Sequence, residues 1–280
     1  MKTIAITGSS GFIGSHLMKS LQNKTFILKE LDLIKGIDIC NWNEISNLSG
    51  IDVFIHLAAK SFVPDSFKTP HQFYNINVAS TLNILELARL NGAKVIYFSS
   101  YLYGTPEYLP IDEKHPVTPH NPYAQSKLIC EKLCEGYHRD FNVPVIIMRP
   151  FNIYGPGQNS SFLIPSIIKQ LKEDKIILKD PRPKRDFIYI DDIVNAVLKA
   201  IDYKKTGFEI FNLGTGKSFS VEEVVCKILN YAEKRPELCF TNEYRKEEVL
   251  DTIANISKVS DALQWIPEID FDQGLSKIFQ

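Results

Sequence analysis

Three glycines near the start of the chain constrain its fold more than any other feature. Gly8, Gly11 and Gly14 stand in TGSSGFIG, directly after the apolar run Thr3–Thr7 and before Ile13, Leu17 and Leu21 at helical spacing. The pattern reads as a buried strand, a glycine turn and a helix. Glycine lets such a turn take positive φ and lets the backbone come close to a ligand. The helix start then offers free N–H groups and the positive end of its dipole to an anion. In this strand–turn–helix setting the spacing predicts a pyrophosphate loop for a dinucleotide, with Gly8, Gly11, Phe12, Ile13 and Gly14 around the phosphates.

A dinucleotide loop needs a partner for the adenosine ribose. The second strand is read over residues 25–33, and Asp32 at its end is placed to accept the ribose hydroxyls. Glu30 is the rival, because a slip of two residues keeps the same strand face. Either carboxylate repels a 2′-phosphate, so NAD is favoured, with NADP as the alternative. Asp38, beside Ile39 in GIDI, is assigned to the adenine amino group.

Short apolar runs alternate with helix-period segments up to residue 150: Val53–Ala59, then Val78, Leu82 and Leu85 ended by Gly92, then Lys94–Ser99, then a helix with Ile129, Leu133, Cys134 and Tyr137 on one side, then Val145–Pro150. This is the signature of a parallel sheet covered on both faces, a Rossmann-type, doubly wound α/β fold. Phe187–Ile190 and Phe208–Leu213 read as late strands returning to the main sheet. Residues 1–150 plus roughly 186–212 are therefore assigned to the dinucleotide-binding domain. Roughly 151–185 plus 213–280 form a smaller, discontinuous substrate-binding lobe.

The 280 residues suffice for a large core, and 32 basic against 33 acidic residues leave a formal charge of -1. Such a balance excludes a globally basic nucleic-acid-binding surface. An anionic substrate would need a local cationic site. No apolar stretch reaches the length of a membrane span. The 5 cysteines have no zinc-like spacing; they read as reduced packing thiols in a cytoplasmic protein without a metal.

Tyr123 and Lys127 stand four apart in YAQSK on an expected helix, which puts them on one face. A tyrosine serving as base near pH 7 needs its pKa lowered by about three units, roughly 4 kcal/mol. A neighbouring ammonium and a positive nicotinamide ring can supply that. Ser99, at a strand end, adds a hydroxyl for the reacting oxygen.

Together these segments resemble the extended short-chain dehydrogenases/reductases, the NAD-dependent epimerase/dehydratase group that acts on nucleotide sugars. TGSSGFIG is similar to the coenzyme loop, and HLAA brings Leu57, Ala58 and Ala59 under the coenzyme. Asn77 in NINVAST matches an asparagine that supports the fourth strand. FSSYLYG resembles the serine motif; counting back four from Tyr103 gives Ser99, with Ser100 and Tyr101 on the substrate side. RPFNIYGPG resembles the substrate-side asparagine motif and places Asn152 at the sugar or its diphosphate. RDFIYIDD, through Arg185, and the later Arg245 supply cations for a substrate diphosphate.

The resemblance implies a catalytic set of Ser99, Tyr123 and Lys127. The dehydratases of the group carry an Asp-Glu pair where this chain has Ser100 and Tyr101, so loss of water is not expected. What remains is chemistry at one carbon: epimerisation at the sugar C4, or reduction of a 4-keto sugar. A reductase of a small carbonyl compound and a non-catalytic coenzyme sensor are the readings of other classes. The resemblance also implies a homodimer, with Leu128, Leu133 and Tyr137 either at its interface or in the core.

Overall fold

The computed structural model describes residues 1–22, 24–204, 207–244 and 248–280. Arg245 lies outside the described residues. In the first half, strands β1 (Lys2–Thr7), β2 (Phe26–Leu31), β3 (Val53–His56), β4 (Lys94–Phe98) and β5 (Val145–Pro150) alternate with helices α1 (Phe12–Leu21), α2 (Trp42–Ile45), α3 (Val63–Lys68), α4 (Pro70–Asn91) and α5 (Pro122–Phe141). The second half adds β6 (Asn152–Tyr154), α6 (Leu163–Gln170), β7 (Lys175–Leu178), β8 (Lys184–Tyr189), α7 (Ile190–Asp202) and β9 (Phe208–Leu213). It ends with β10 (Ser218–Ser220), α8 (Val221–Leu229), β11 (Glu237–Phe240), α9 (Ser257–Leu263) and α10 (Phe271–Phe279).

The main sheet is parallel throughout and runs β2-β1-β3-β4-β5-β9. Strand alternation explains its two cores. Ile4, Ile6, Ile55, Ile96, Phe98 and Met148 face the layer of α1, α7 and α9. The residues between them, such as Ala5, Phe54, Tyr97 and Ile147, face α4 and α5. Strands buried on both sides cannot alternate apolar with polar, hence runs such as VIIM. After β1 the chain builds β2 on one side, then crosses to place β3 on the other. The glycine turn leaves β1 at that reversal, where open parallel sheets bind ligands.

Local signals set the helix ends. Asn121 accepts the Ala124 N–H at 2.8 Å and Pro122 occupies the first turn, which starts α5. Gly92 ends α4 with φ 63°, as a left-handed cap.

One expected strand belongs elsewhere. β9 joins the main sheet, but β8 does not; it lies between β10 and β6 in a three-stranded sheet of the lobe. An apolar run such as DFIYI fits either sheet, and pairing, not composition, decides. Helix α9 and Trp265 pack into the core under the main sheet, although the sequence places them in the lobe segment. The lobe has its own core, built from Tyr154, Ile167, Ile176, Phe187, Val225 and Phe271 among others. Among the described residues no helix is long and apolar enough to cross a membrane.

Candidate active site

The glycine loop is shaped for a close ligand. Gly8 has φ +66°, and a Cβ there would stand 2.9 Å from the Ala58 nitrogen. A Cβ on Gly14 would collide with the Gly8 oxygen and lie 2.7 Å from Ser9 Cα. Gly11 is exposed and precedes α1 without a side-chain cap, and no acidic residue stands in the first turn. The helix start therefore keeps N–H groups for an anion, which fits a dinucleotide pyrophosphate.

Both acids at the end of β2 clamp this loop. Asp32 accepts the Ser10 N–H and the Ile34 N–H, each at 2.9 Å. Glu30 accepts the Ser9 hydroxyl at 2.9 Å and lies 3.9 Å from Lys35. Asp38 turns to its own loop, accepting the Cys40 N–H at 2.9 Å. The Ile39 side chain is buried in the core.

A cleft of about 900 Å³ opens from the loop toward the lobe. Leu57, Ala58 and Ala59 line it next to the glycines; Ser99, Ser100, Tyr101, Tyr123, Lys127 and Asn152 line its far part. Sequence reasoning missed Phe62 and Phe162, whose rings meet across the cleft at 5.9 Å and 70°. No local pattern marks them, because the contact joins two distant loops.

Two serines compete for the place beside Tyr123. Ser99 and Ser100 both line the cleft with Tyr123, and the Ser100 hydroxyl favours the charged form of the phenol. The Ser99 Oγ is buried with no partner. β4 ends at Phe98, so both serines stand just past the strand end. Burial dominates at Tyr123 and pushes its pKa up to about 12.

Lys127 is not directed at Tyr123 in the expected way. Its ammonium donates to the Phe98 carbonyl at 2.5 Å and sits 4.6 Å from the centre of the Tyr97 ring. Burial lowers its pKa to about 8, opposed in part by Glu131 one turn further along α5. Glu131 itself forms a buried ion pair with Arg149, at 2.9 and 2.5 Å. Arg149 also donates to the Tyr103 hydroxyl at 3.0 Å, which donates to Asn212 at 2.5 Å. The spacing from Lys127 to Glu131 is visible in the sequence, but its distant partner is not.

Asn77 lies inside α4. Its side chain accepts the Lys60 N–H at 2.8 Å and donates to the Ser126 hydroxyl at 2.9 Å. It braces the loop after β3 against α5, rather than β4 itself. Behind it His56 is 1% exposed, between the hydroxyls of Thr7 (2.7 Å) and Thr81 (3.1 Å). Thr81 donates to the Asn77 carbonyl, so it accepts from His56 Nε2–H, and Nδ1 accepts from Thr7. Burial lowers the His56 pKa to about 3.

Arg185 is on the same face of β8 as Phe187, which lines the cleft, two residues farther out. Its guanidinium bonds Glu248 at 2.5 Å and the Val249 carbonyl at 2.7 Å. The cleft around Tyr123 therefore does not contain it. Next to it, Asp186 accepts from Thr215 N, Thr215 Oγ1, Gly216 N and Ala254 N. Burial raises its pKa and these bonds hold it down. The RDF and GTG segments are thus locked together by the aspartate, a role the sequence did not reveal.

A doubly wound sheet, a glycine-cradled anion site and a tyrosine–lysine pair on one helix define an enzyme of the short-chain dehydrogenase/reductase type. A model of the NAD dependent epimerase/dehydratase family matches residues 4–214. The chain is 33% identical to a putative UDP-glucose 4-epimerase of Methanocaldococcus jannaschii, over 98% of this chain and 96% of the relative. It is 30% identical to a GDP-6-deoxy-D-mannose reductase of Pseudomonas aeruginosa, over 98% and 94%. The structure of RMD from Pseudomonas aeruginosa complexed with NADPH superimposes with a TM-score of 0.90 at 29% identity, covering 100% of this chain and 97% of that one. The chain belongs to the NAD-dependent epimerase/dehydratase family, whose members are nicotinamide-coenzyme enzymes.

Proposed function

We propose that the chain is a nucleotide-sugar epimerase that works at the sugar C4, with Tyr123 as acid and base. One observation carries the choice of chemistry. Among the described residues Asp65 is the one carboxylate that lines the cleft. Removing water from a sugar needs an acid for the leaving hydroxyl and a base for the adjacent carbon. A reacting end lined by the phenols of Tyr101 and Tyr123 and the hydroxyls of Ser99 and Ser100 suits chemistry at a single carbon.

The bound dinucleotide supplies the hydride acceptor and donor. Tyr123 takes the proton of the sugar hydroxyl and returns it. Ser100 shares that proton and favours the phenolate. Lys127 holds the Phe98 carbonyl at the sheet edge and faces the coenzyme ribose. Asp32, with Glu30 behind it, holds the adenosine ribose, which favours NAD. Asp38 and Ile39 flank the adenine, Asn77 braces the floor, and Asn152 and Tyr101 meet the sugar. Arg185 and Arg245 take the substrate diphosphate, Arg185 by exchanging Glu248 for phosphate.

A second reading has support in the 30% identity to the GDP-6-deoxy-D-mannose reductase: reduction of a 4-keto sugar, which is the return half of the same chemistry. Enzyme loaded with NAD and given UDP-, dTDP-, CDP- and GDP-hexoses tests the proposal by NMR. Appearance of the C4 epimer without net coenzyme reduction supports it. Turnover of keto sugars alone, with consumption of reduced coenzyme, replaces it by the reductase reading.

The helices α4 and α5 leave Leu82 41%, Leu90 55% and Phe141 53% exposed. We assign this face, with Leu128, Leu133 and Tyr137 alongside, to a second copy of the chain in the cytoplasm. Light scattering of a Leu90→Glu, Phe141→Glu variant tests it, with a monomer expected and an unchanged dimer contradicting it.

A further inference from the structure

The cleft holds a second phenol beside the first. Tyr101 follows Ser100 and lines the cleft with Tyr123. Its ring lies against Phe151, with centroids 5.1 Å and planes 16° apart. Its hydroxyl donates to Asn152 Oδ1 at 3.3 Å. The Asn152 amide nitrogen donates to the Asp186 carbonyl at 3.2 Å, so the asparagine is held from both ends.

The hydrogen-bond valences are informative. The Tyr101 proton is committed to Asn152, which leaves the phenol oxygen as an acceptor. The amide nitrogen has two hydrogens and one is committed, which leaves one donor. An acceptor next to a donor is the complement of a hydroxyl group, which gives one hydrogen bond and takes another. It is not the complement of a methylene or of a second carbonyl. On a hexose reacting at C4, the neighbouring carbon that carries a hydroxyl is C3, because C5 bears the ring oxygen.

We propose that Tyr101 and Asn152 read the C3 hydroxyl of the sugar and so determine which hexoses are accepted. The assignment rests on the C4 chemistry proposed above. Tyr101→Phe tests it, since phenylalanine keeps the stack on Phe151 and removes only the hydroxyl. The substrate is whichever of the UDP-, dTDP-, CDP- or GDP-glucoses the wild type turns over fastest, beside its 3-deoxy analogue.

The variant is expected to lose about 5- to 100-fold in kcat/KM on the hydroxyl substrate, mostly through KM. It should lose nothing on the 3-deoxy analogue and bind NAD as the wild type does. Equal losses on both substrates, or none on either, overturn the assignment. A wild type that turns over none of the glucoses overturns the C4 reading itself, and this inference with it.

Discussion

Ser100 lines the cleft with Tyr123 and favours the charged form of its phenol, while the oxygen of Ser99 beside it is buried without a partner. The Ser100 hydroxyl opposes the burial that pushes the phenol up to about 12. Removing it should raise the pKa further. Ser100→Ala is therefore expected to slow hydroxyl oxidation at pH 7 and to shift the rising limb of its pH–rate profile to higher pH. Ser99→Ala should leave the profile in place. Matching profiles for wild type and Ser100→Ala would return the role to Ser99.

Tyr123→Phe should nearly abolish turnover and leave coenzyme affinity close to that of the wild type. General acid–base catalysis contributes about 100- to 10,000-fold, and a phenyl ring exchanges no proton. Steady-state rates and a coenzyme fluorescence titration check this. A variant with half its activity would remove Tyr123 from the mechanism.

Coenzyme choice should follow the two acids at the end of β2. NAD is expected to bind more tightly than NADP, with Asp32→Ala weakening the preference. If Glu30→Ala weakens it instead, the ribose meets the residue that holds Ser9. Titrations with both coenzymes decide, and tighter NADP binding by the wild type would show that neither carboxylate faces the 2′ position.

Arg185→Ala is expected to raise the dissociation constant of a nucleotide sugar roughly 10- to 150-fold, the loss of about 1.5–3 kcal/mol for a charged hydrogen bond. Free NAD, held at the glycine loop, should bind as before. Calorimetry on UDP, dTDP, GDP and CDP sugars measures both. An unchanged constant would leave Arg185 as the structural partner of Glu248 alone.

His56 predicts an acid weakness. Its folded pKa is lowered to about 3, below its ordinary value of 6.5. Below 6.5 the unfolded chain binds a proton that the folded one refuses, so stability is complete above 6.5 and is lost as pH falls toward 3. At pH 5 the loss is about 2 kcal/mol. Urea unfolding at pH 7 and pH 5 should show this difference in the wild type, and a smaller one in His56→Gln. Equal differences would place the acid sensitivity elsewhere.

Local chemistry was legible in the sequence. TGSSGFIG specified a strand, a turn that only glycine permits, and a helix start. Spacing placed Tyr123 and Lys127 on one helix face, and near-continuous apolar strands required a sheet covered on both sides. Those features depend on neighbours a few residues apart. Only tertiary structure assigned β8 to the lobe sheet, buried the Ser99 oxygen without a partner, tied Arg185 to Glu248, and buried Glu131 against Arg149. Each depends on partners far away in the chain, and a strand's pairing or a side chain's hydrogen bond is settled by which distant group reaches it first in the packed core.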